Sequence, residues 1–359
     1  MRVLGIMSGT SADGADLVLA DLGGRPPRLE WTVREHRSVP FPAELRQRVL
    51  LALRGDMHTR ALALLHHELG RFYAEATEPL AGRVELAALH GQTIWHEPPL
   101  ATFQIGEAAY LAEALGCPVV ADFRPADLAV GGEAAPLVAY PDLLLYGEKG
   151  VRRAIHNLGG ISNLTYLPGL EGEGVFAFDT GPGNCLLDEA AARLGLTYDP
   201  GGSLARRGRV DVEKATAWLS HPYFTRKPPK STGRELWRLD NLETEGLRPY
   251  DLLATLTYFT ARSIVQAYHD FVLPQGLDEV WVAGGGAYNQ ALMEQVRAGL
   301  PVPVYTFEER GHDSRLREAL AFAVLGYLRF NGLPNVLPAV TGASRAAIAG
   351  KLCLPAAAR

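Results

Sequence analysis

Residues 7–16 read MSGTSADGAD, and they bring two glycines (Gly9, Gly14), three hydroxyls (Ser8, Thr10, Ser11) and two carboxylates (Asp13, Asp16) into one turn between apolar runs. A turn of this composition can aim several backbone N–H groups at phosphate oxygens, as anion nests do. Asp13 can also hold a magnesium ion through water, because that ion keeps much of its hydration shell and takes one or two carboxylates beside phosphates. The plain alternative is an ordinary Gly/Asp hairpin turn. Two more glycine turns, LGGISN (158–163) and AGGGAYN (283–289), also follow apolar runs. No stretch supplies the GxxxxGK[ST] of a P-loop, and both GPGNCL and GGGAYN lack the third glycine of a dinucleotide fingerprint. Three glycine turns without either motif suit a nucleotide lying between two lobes. Cys117, Cys185 and Cys353 form no CxxC pair, and HHELG lacks the second histidine of HExxH and reads as a solvated helix face. No zinc site is assigned, and the carboxylate that would hold magnesium stays open.

The elements that must position these turns follow from hydrophobic periodicity. Val3–Met7 and Leu17–Ala20 are short apolar runs on either side of the first turn, which reads as strand, turn, strand. A third β-like segment covers Leu29–Val39, helical spacing runs from Ala43 to about Leu80, and VELAALHGQ reads as a buried strand ending in a polar loop. The opening recurs about 150 residues later: Ala154–Leu158, a glycine turn, Leu164–Leu167, then GVFAFD as a strand stopping at Asp179. TGPGN reads as a loop and CLLDEAAARLG as a helix, and DEVWVAGGG is a strand entering a turn before a helix that starts near Asn289. Alternating strands and helices predict an α/β protein. The repeat predicts two similar lobes with the ligand site in their cleft. The breaker cluster GGEAAP places the boundary between residues 1–132 and 133–359, with the C-terminal residues able to pack back on the first lobe.

The bulk properties narrow the function. A chain of 359 residues with 47% apolar content is long enough for two cores. A net charge of −5, with no basic run, disfavours nucleic acid. No apolar run has the length of a signal-peptide core or a membrane span, so a cytoplasmic protein without membrane partners is expected.

Nine segments, in order, resemble the anhydro-N-acetylmuramic acid kinase family: GIMSGTSADGAD, LHGQTIWHEP, DFRPADLAVGG, HNLGGISNLT, FDTGPGNCLLD, PPKSTGREL, VAGGGAYN, EALAFA and NVLPAVTGA. They span nearly the whole chain, and their shared order makes accidental similarity unlikely to arise. The resemblance implies two ribonuclease-H-like lobes of the actin, hexokinase and heat-shock ATPase superfamily around an ATP cleft. It assigns Gly9, Thr10, Ser11, Ala12, Asp13, Gly14, Ala15 and Asp16 to the ATP phosphates, Gly159 and Gly160 to a second phosphate turn, and Gly284, Gly285 and Gly286 to the adenosine side. It further implies ATP with Mg2+, a homodimer, and an activity that opens 1,6-anhydro-N-acetylmuramic acid and phosphorylates it during cell-wall recycling.

The same resemblance makes Asp179 the catalytic base. In a 1,6-anhydro sugar the 6-oxygen carries no proton, so the base must act on water. The alternative for Asp179 is an Asx turn or helix cap, and Asp188 is the competing carboxylate. Thr93, Arg124 and Glu318 match sugar contacts, and Gln92, Trp95 and His96 are further candidates for lining the site. Arg124 suits a lactyl carboxylate, against a structural ion pair with Asp122 or Asp127. Two departures fall near these residues: Glu133 and Ala134 in GGEAAPL, and His312 with extra arginines before Glu318. Lys230 and Arg234 in PPKSTGREL stay open between phosphate contact, dimer contact and solvent exposure. The rival readings are another sugar kinase, an actin-like filament or nucleotide-gated module, and a glycoside hydrolase with two carboxylates and no nucleotide.

Overall fold

The computed structural model describes residues 1–9 and 11–356, so Thr10 of the first turn lies outside the described residues. These residues group into two compact units. One holds Met1–Tyr146, Leu170–Gly172 and the chain from Arg315 onward, and the other holds Gly147–Gly169 and Glu173–Ser314.

In the first unit β1 (Arg2–Ser8), β2 (Gly14–Arg25), β3 (Arg28–Pro40), β4 (Leu86–Glu97), β5 (Ala101–Ile105) and β6 (Val119–Ala121) form one sheet. Its order is β6-β4-β1-β2-β3, with a short strand Lys351–Cys353 beyond β6 and with β5 paired to the far end of β4. β1, β2 and β3 are antiparallel neighbours, while β4 runs parallel to both β1 and β6. Buried residues run consecutively through β1 and the start of β4, as expected for strands covered on both faces. Helices α1 (Ala43–Leu53), α2 (Thr59–Thr77) and α3 (Ala108–Leu115) contribute Leu45, Val49, Leu65, Leu69 and Leu111 to one face, against Leu4, Ile6, Leu17 and Leu89. Helix Arg317–Phe330 covers the other face. It lies so close that a β-carbon on Gly5 would fall 1.9 Å from the Ala319 carbonyl oxygen. Two shorter helices, α4 (Arg124–Leu128) and α5 (Ala139–Tyr146), finish this unit's share of the first half.

The second unit repeats the plan. β7 (Arg153–Leu158), β8 (Ile161–Leu167), β9 (Phe176–Pro182), β10 (Glu279–Ala283) and β11 (Val304–Thr306) stand in the order β11-β10-β7-β8-β9. The pairings β7–β8 and β8–β9 are antiparallel, and β7–β10 and β10–β11 are parallel. Its helices are α6 (Cys185–Ala192), α7 (Val212–Leu219), α8 (Pro222–Thr225), α9 (Pro249–Ala267) and α10 (Gln290–Gly299). The apolar face of α9, including Leu253, Leu256, Phe259 and Ile264, enters a core with Leu164, Phe178, Leu186 and Val282. Each unit is therefore an α/β layer of the ribonuclease-H type, and the five strands of the second sheet match β6-β4-β1-β2-β3 of the first, where β5 and Lys351–Cys353 are additions.

Three local expectations change. The polar loop expected after VELAALHGQ is the second half of β4, where HGQTIWHE pairs with β5 as a hairpin. β9 does not stop at Asp179 but pairs with β8 as far as Pro182, because β8 supplies partners up to Ile161. The division between units falls after Tyr146, not at residue 132, since α5 packs on helix Arg317–Phe330 and carries residues 133–146 with it. The residues after Arg315 belong with the first unit.

Candidate active site

In the first unit the β1–β2 turn is fastened through its carbonyl groups. Gly9 O accepts from Ala12 N (3.2 Å) and from Gln92 Nε2 (3.2 Å), Ala12 O from Arg46 Nε (3.1 Å), and Asp13 O from Phe41 N (3.0 Å). With those oxygens engaged by the protein, the amide groups other than that of Ala12 are the part of the turn left for an anion. Ala12 takes a left-handed φ of 51° and is fully buried, which costs energy for a residue with a β-carbon and sharpens the turn. Ser11 Oγ donates to Asp13 Oδ1 (2.9 Å), while Asp16 is engaged by the Ser38 hydroxyl. Asp13 is the exposed carboxylate of the turn. Among the described residues no three His, Cys, Asp or Glu side chains gather as a metal cage. The donor set thus fits a magnesium ion whose remaining ligands are phosphate and water, and it fits no metal held by protein alone.

Around β4 the sugar candidates are ordered by an unforeseen partner. Arg124 Nη1 donates to Ala134 O (2.5 Å), and its Nη2 lies 3.1 Å from Nε2 of buried His90. The ion pairs considered for Arg124 are absent: Asp122 pairs with Lys351, and Asp127 accepts from Ala134 N and Thr341 Oγ1. Burial pulls Arg124 down to about 10, with Glu318 acting in the opposite direction, so it is a cation at neutral pH. Burial, with the adjacent Arg124 charge, pushes His90 down to about 3, so His90 is a neutral acceptor for that guanidinium. Its place in HGQ carried no signal of this role. Ala134, one of the two departures, supplies both the carbonyl for Arg124 and a left-handed φ of 54°.

Glu318 opens helix Arg317–Phe330. Its side chain reaches solvent, yet desolvation by surrounding protein raises its carboxyl, with Asp16 and Asp142 adding to the rise and Arg317 and Arg124 opposing it. The neighbouring Arg317 is structural, making a buried two-pronged ion pair with Asp142 of α5. Thr93 Oγ1 accepts from Gln104 Nε2 (3.3 Å). Gln92 is fully buried beneath the first turn, Trp95 is exposed beside Glu97, and His96 pairs with Thr102. His67 is exposed on α2 as expected, and His66 beside it is half-buried, bonding Glu107 through Nε2 and accepting from Gly106 N at Nδ1.

In the second unit Asp179 lies on β9, opposite Asn163 of β8, and is clamped from three directions. Its N–H donates to Lys230 O (3.0 Å), its carbonyl accepts from Tyr223 OH (2.6 Å), and its Oδ2 accepts from Thr232 N (2.8 Å). Oδ1 has no hydrogen-bond partner among the described residues. Burial raises the carboxyl to about 6, with the Thr232 N–H pulling the other way. The residue is thus neither an Asx turn nor a helix cap but a fixed carboxylate with one oxygen open. Next to it, Thr180, Ser162, His156 and Tyr268 form a buried chain of hydroxyl and imidazole contacts that locks β7, β8 and β9 to α9's C-terminal extension.

The clamp is itself anchored by Lys230. Its ammonium is buried, donates to the carbonyls of Tyr223 (3.3 Å) and Phe224 (3.2 Å), and faces the rings of Tyr223, Phe271 and Phe178 at 4.8, 4.9 and 5.7 Å. Burial, with help from Arg226, brings it down to about 8.

The other two glycine turns meet beside α6. Gly159 O and Gly160 O accept from the N–H groups of Gly183, Asn184 and Cys185, and Asn184 Nδ2 donates to Leu158 O. Gly284 has φ 90°, and a β-carbon there would fall 2.8 Å from both Asn157 Oδ1 and the Leu158 carbonyl, so only glycine fits. A cavity of 430 Å³ opens here, lined by Asn184, Asp188, Tyr198, Gly285, Tyr288 and Asn289 among others. Asp188, the rival base, sits in this cavity. Burial raises it to about 6, with Arg234 lowering it. The tyrosines and Asn184 gave no separate signal in the sequence, since aromatic residues are more often packed in cores than exposed over a cavity.

A duplicated α/β protein with a glycine turn after the first strand of each sheet is the class that the fold defines. Within it the chain belongs to the anhydro-N-acetylmuramic acid kinase family, whose model matches residues 1–355. Curated relatives named anhydro-N-acetylmuramic acid kinase include one from Cyanothece sp., 42% identical with 98% of this chain and 99% of the relative covered. Another, from Bacillus cereus, is 37% identical over 99% of this chain and 100% of the relative. Among solved structures, the activator of 2-hydroxyisocaproyl-CoA dehydratase from Clostridium difficile with bound ADPNP aligns at a TM-score of 0.46 and 11% identity, covering 92% of this chain and 96% of that one. Among the described residues no helix is long and apolar enough to cross a membrane.

Proposed function

We propose that this chain is an ATP-dependent kinase that opens 1,6-anhydro-N-acetylmuramic acid with water and delivers N-acetylmuramic acid 6-phosphate, a step of cell-wall recycling. The observation that carries the mechanism is Asp179: a carboxylate clamped through Oδ2, open at Oδ1, and raised to about 6 so that it is basic yet ionised at neutral pH. Oδ1 takes a proton from a water, whose oxygen bonds to the anomeric carbon. The bond from that carbon to the 6-oxygen breaks, and the 6-oxygen keeps the electron pair and attacks the γ-phosphorus. The β–γ bridging oxygen then leaves with ADP. Phosphoryl transfer asks the protein mainly for positioning and charge neutralisation.

In the first unit the amides of the Gly9–Asp16 turn serve phosphate oxygens, and Asp13 would hold Mg2+ through water; the ion supplies charge neutralisation at the phosphates. Arg124, aimed by His90, serves the lactyl carboxylate, and Thr93 and Glu318 serve sugar hydroxyl and amide groups. In the second unit the 430 Å³ cavity suits adenosine, with its exposed Tyr198 and Tyr288 rings for the base and Asp188 and Asn184 for ribose hydroxyls. Gly159 and Gly160 serve phosphate. A homodimer and a cytoplasmic setting belong to the same proposal.

The test is incubation of the protein with ATP, magnesium and the anhydro sugar in 18O-labelled water. The expected product is the 6-phosphate with the label at carbon 1. Opening of the ring without ATP would favour a hydrolase instead, and label-free product would rule out water as the nucleophile.

A further inference from the structure

The motif PPKSTGREL was left with two unassigned cations, and the structure separates them. Lys230 is buried among aromatic rings and anchors the loop behind Asp179. Arg234, four residues on, is exposed, and among the described residues it has neither an ion pair nor a hydrogen bond. Its guanidinium nevertheless has a defined place. A β-carbon on Gly160 would lie 2.5 Å from Nη2, 2.9 Å from Nε and 3.0 Å from Cζ. Three guanidinium atoms at nearly equal short distances mean that the group lies against the glycine turn, in room that a side chain would fill. Its charge is felt by Cys185 and Asp188, the first-turn residues of α6 beside that turn.

A long cation held over a backbone turn, near Asp188 but hydrogen-bonded to no carboxylate among the described residues, is a donor set open to an external anion. Guanidinium presents its N–H groups in a planar fork that matches phosphate oxygens. We propose that Arg234 is a catalytic residue that donates hydrogen bonds to the terminal phosphates of ATP at the Gly159–Gly160 turn and neutralises the charge that builds up as the phosphoryl group transfers. It moves no proton. The loop's buried end holds the base, so a single five-residue segment, Lys230–Arg234, positions the proton acceptor with one end and a phosphate donor with the other.

The proposal rests on the kinase reading and is tested so that the two can fail separately. In the full chain, R234M should lower kcat on the order of 10³-fold, the scale at which arginines act in phosphoryl transfer. The KM for the sugar and the thermal midpoint should stay unchanged, since the side chain is exposed and bonded to nothing. R234K should recover part of the rate, and free guanidinium ion should partly rescue R234M. Calorimetry with a non-hydrolysable ATP analogue and with AMP reads the contact whatever the sugar: R234M should weaken the triphosphate and spare AMP. Turnover of R234M within threefold of the parent, or equal loss of both nucleotides, overturns the assignment. Absence of 6-phosphate from the parent protein, with the selective loss of triphosphate binding intact, would instead refute the sugar and leave Arg234 in place.

Discussion

The β1–β2 turn and the β7–β8 turn occupy the same place in two sheets of the same order, yet they would serve phosphate, as proposed, with different materials. The first carries hydroxyls and a carboxylate, Asp13, of its own, and is tied down by Gln92, Arg46 and Phe41. The second is reduced to Gly159 and Gly160 and is bare of side chains, with its charge lent by Arg234 from a distant loop. The third strands diverge in the same way. β3 is a long edge strand with alternating exposure, whereas β9 is buried under α9 and α8 and carries Asp179. A duplicated fold fixes where ligands can meet backbone; it leaves open which copy supplies base, cation or metal ligand.

The sharpest way to break that comparison is D179N. Turnover should fall ~10²–10⁴-fold with ATP affinity preserved, because a positioned base contributes about that much. A full rate would move the base elsewhere, with Asp188 the first candidate. The next largest effect concerns the first unit's frame: D142A strands Arg317 as a buried charge and should cost roughly 3–5 kcal/mol in a denaturant melt. R124M would remove the proposed charge-assisted contact to the sugar carboxylate, worth roughly 1.5–3 kcal/mol, so the sugar KM should rise about 10–100-fold while kcat changes little. The pH profile offers a smaller test. As the proposed base, Asp179 would have to be ionised to act, so kcat/KM should fall as pH drops below about 6. Stability runs the opposite way. A carboxyl raised in the folded state favours its protonated form there, and that contribution is present below about 4 and lost as pH rises through 6. D179N should therefore melt higher than the parent at pH 8, by on the order of 1–3 kcal/mol, with the gap closing in acid. Least of all, D211A, which removes the N-cap of α7, should cost ~1 kcal/mol and leave activity alone.

The central strands β1, β4, β7 and β10 were legible because they are apolar runs broken by glycine, a pattern that survives without any knowledge of partners, whereas the short β5, β6 and β11 were not. The glycine turns that follow β1, β7 and β10 were legible for the same reason. What could not be read was anything decided by a side chain from elsewhere in the chain. His90 orienting Arg124 and Thr232 clamping Asp179 are contacts across 34 and 53 residues, and neither has a periodic signature. The end of β9 was misplaced because a polar TGP looks like a loop until β8 offers it hydrogen-bond partners. The unit boundary moved because GGEAAP breaks the chain locally, while α5 follows the helix it packs against.

Helix Arg317–Phe330 has a bearing on biogenesis. The ribosome emits the first sheet's strands nearly two hundred residues before the helix that shields one of its faces, and Lys351–Cys353 extends that sheet's edge later still. The stretch Gly147–Ser314 holds almost everything its own core needs and can condense early, while the opening half waits with apolar surface bare. Nascent chains stalled short of residue 317 should accordingly protect the middle of the protein from protease and leave its beginning open to digestion and to chaperones.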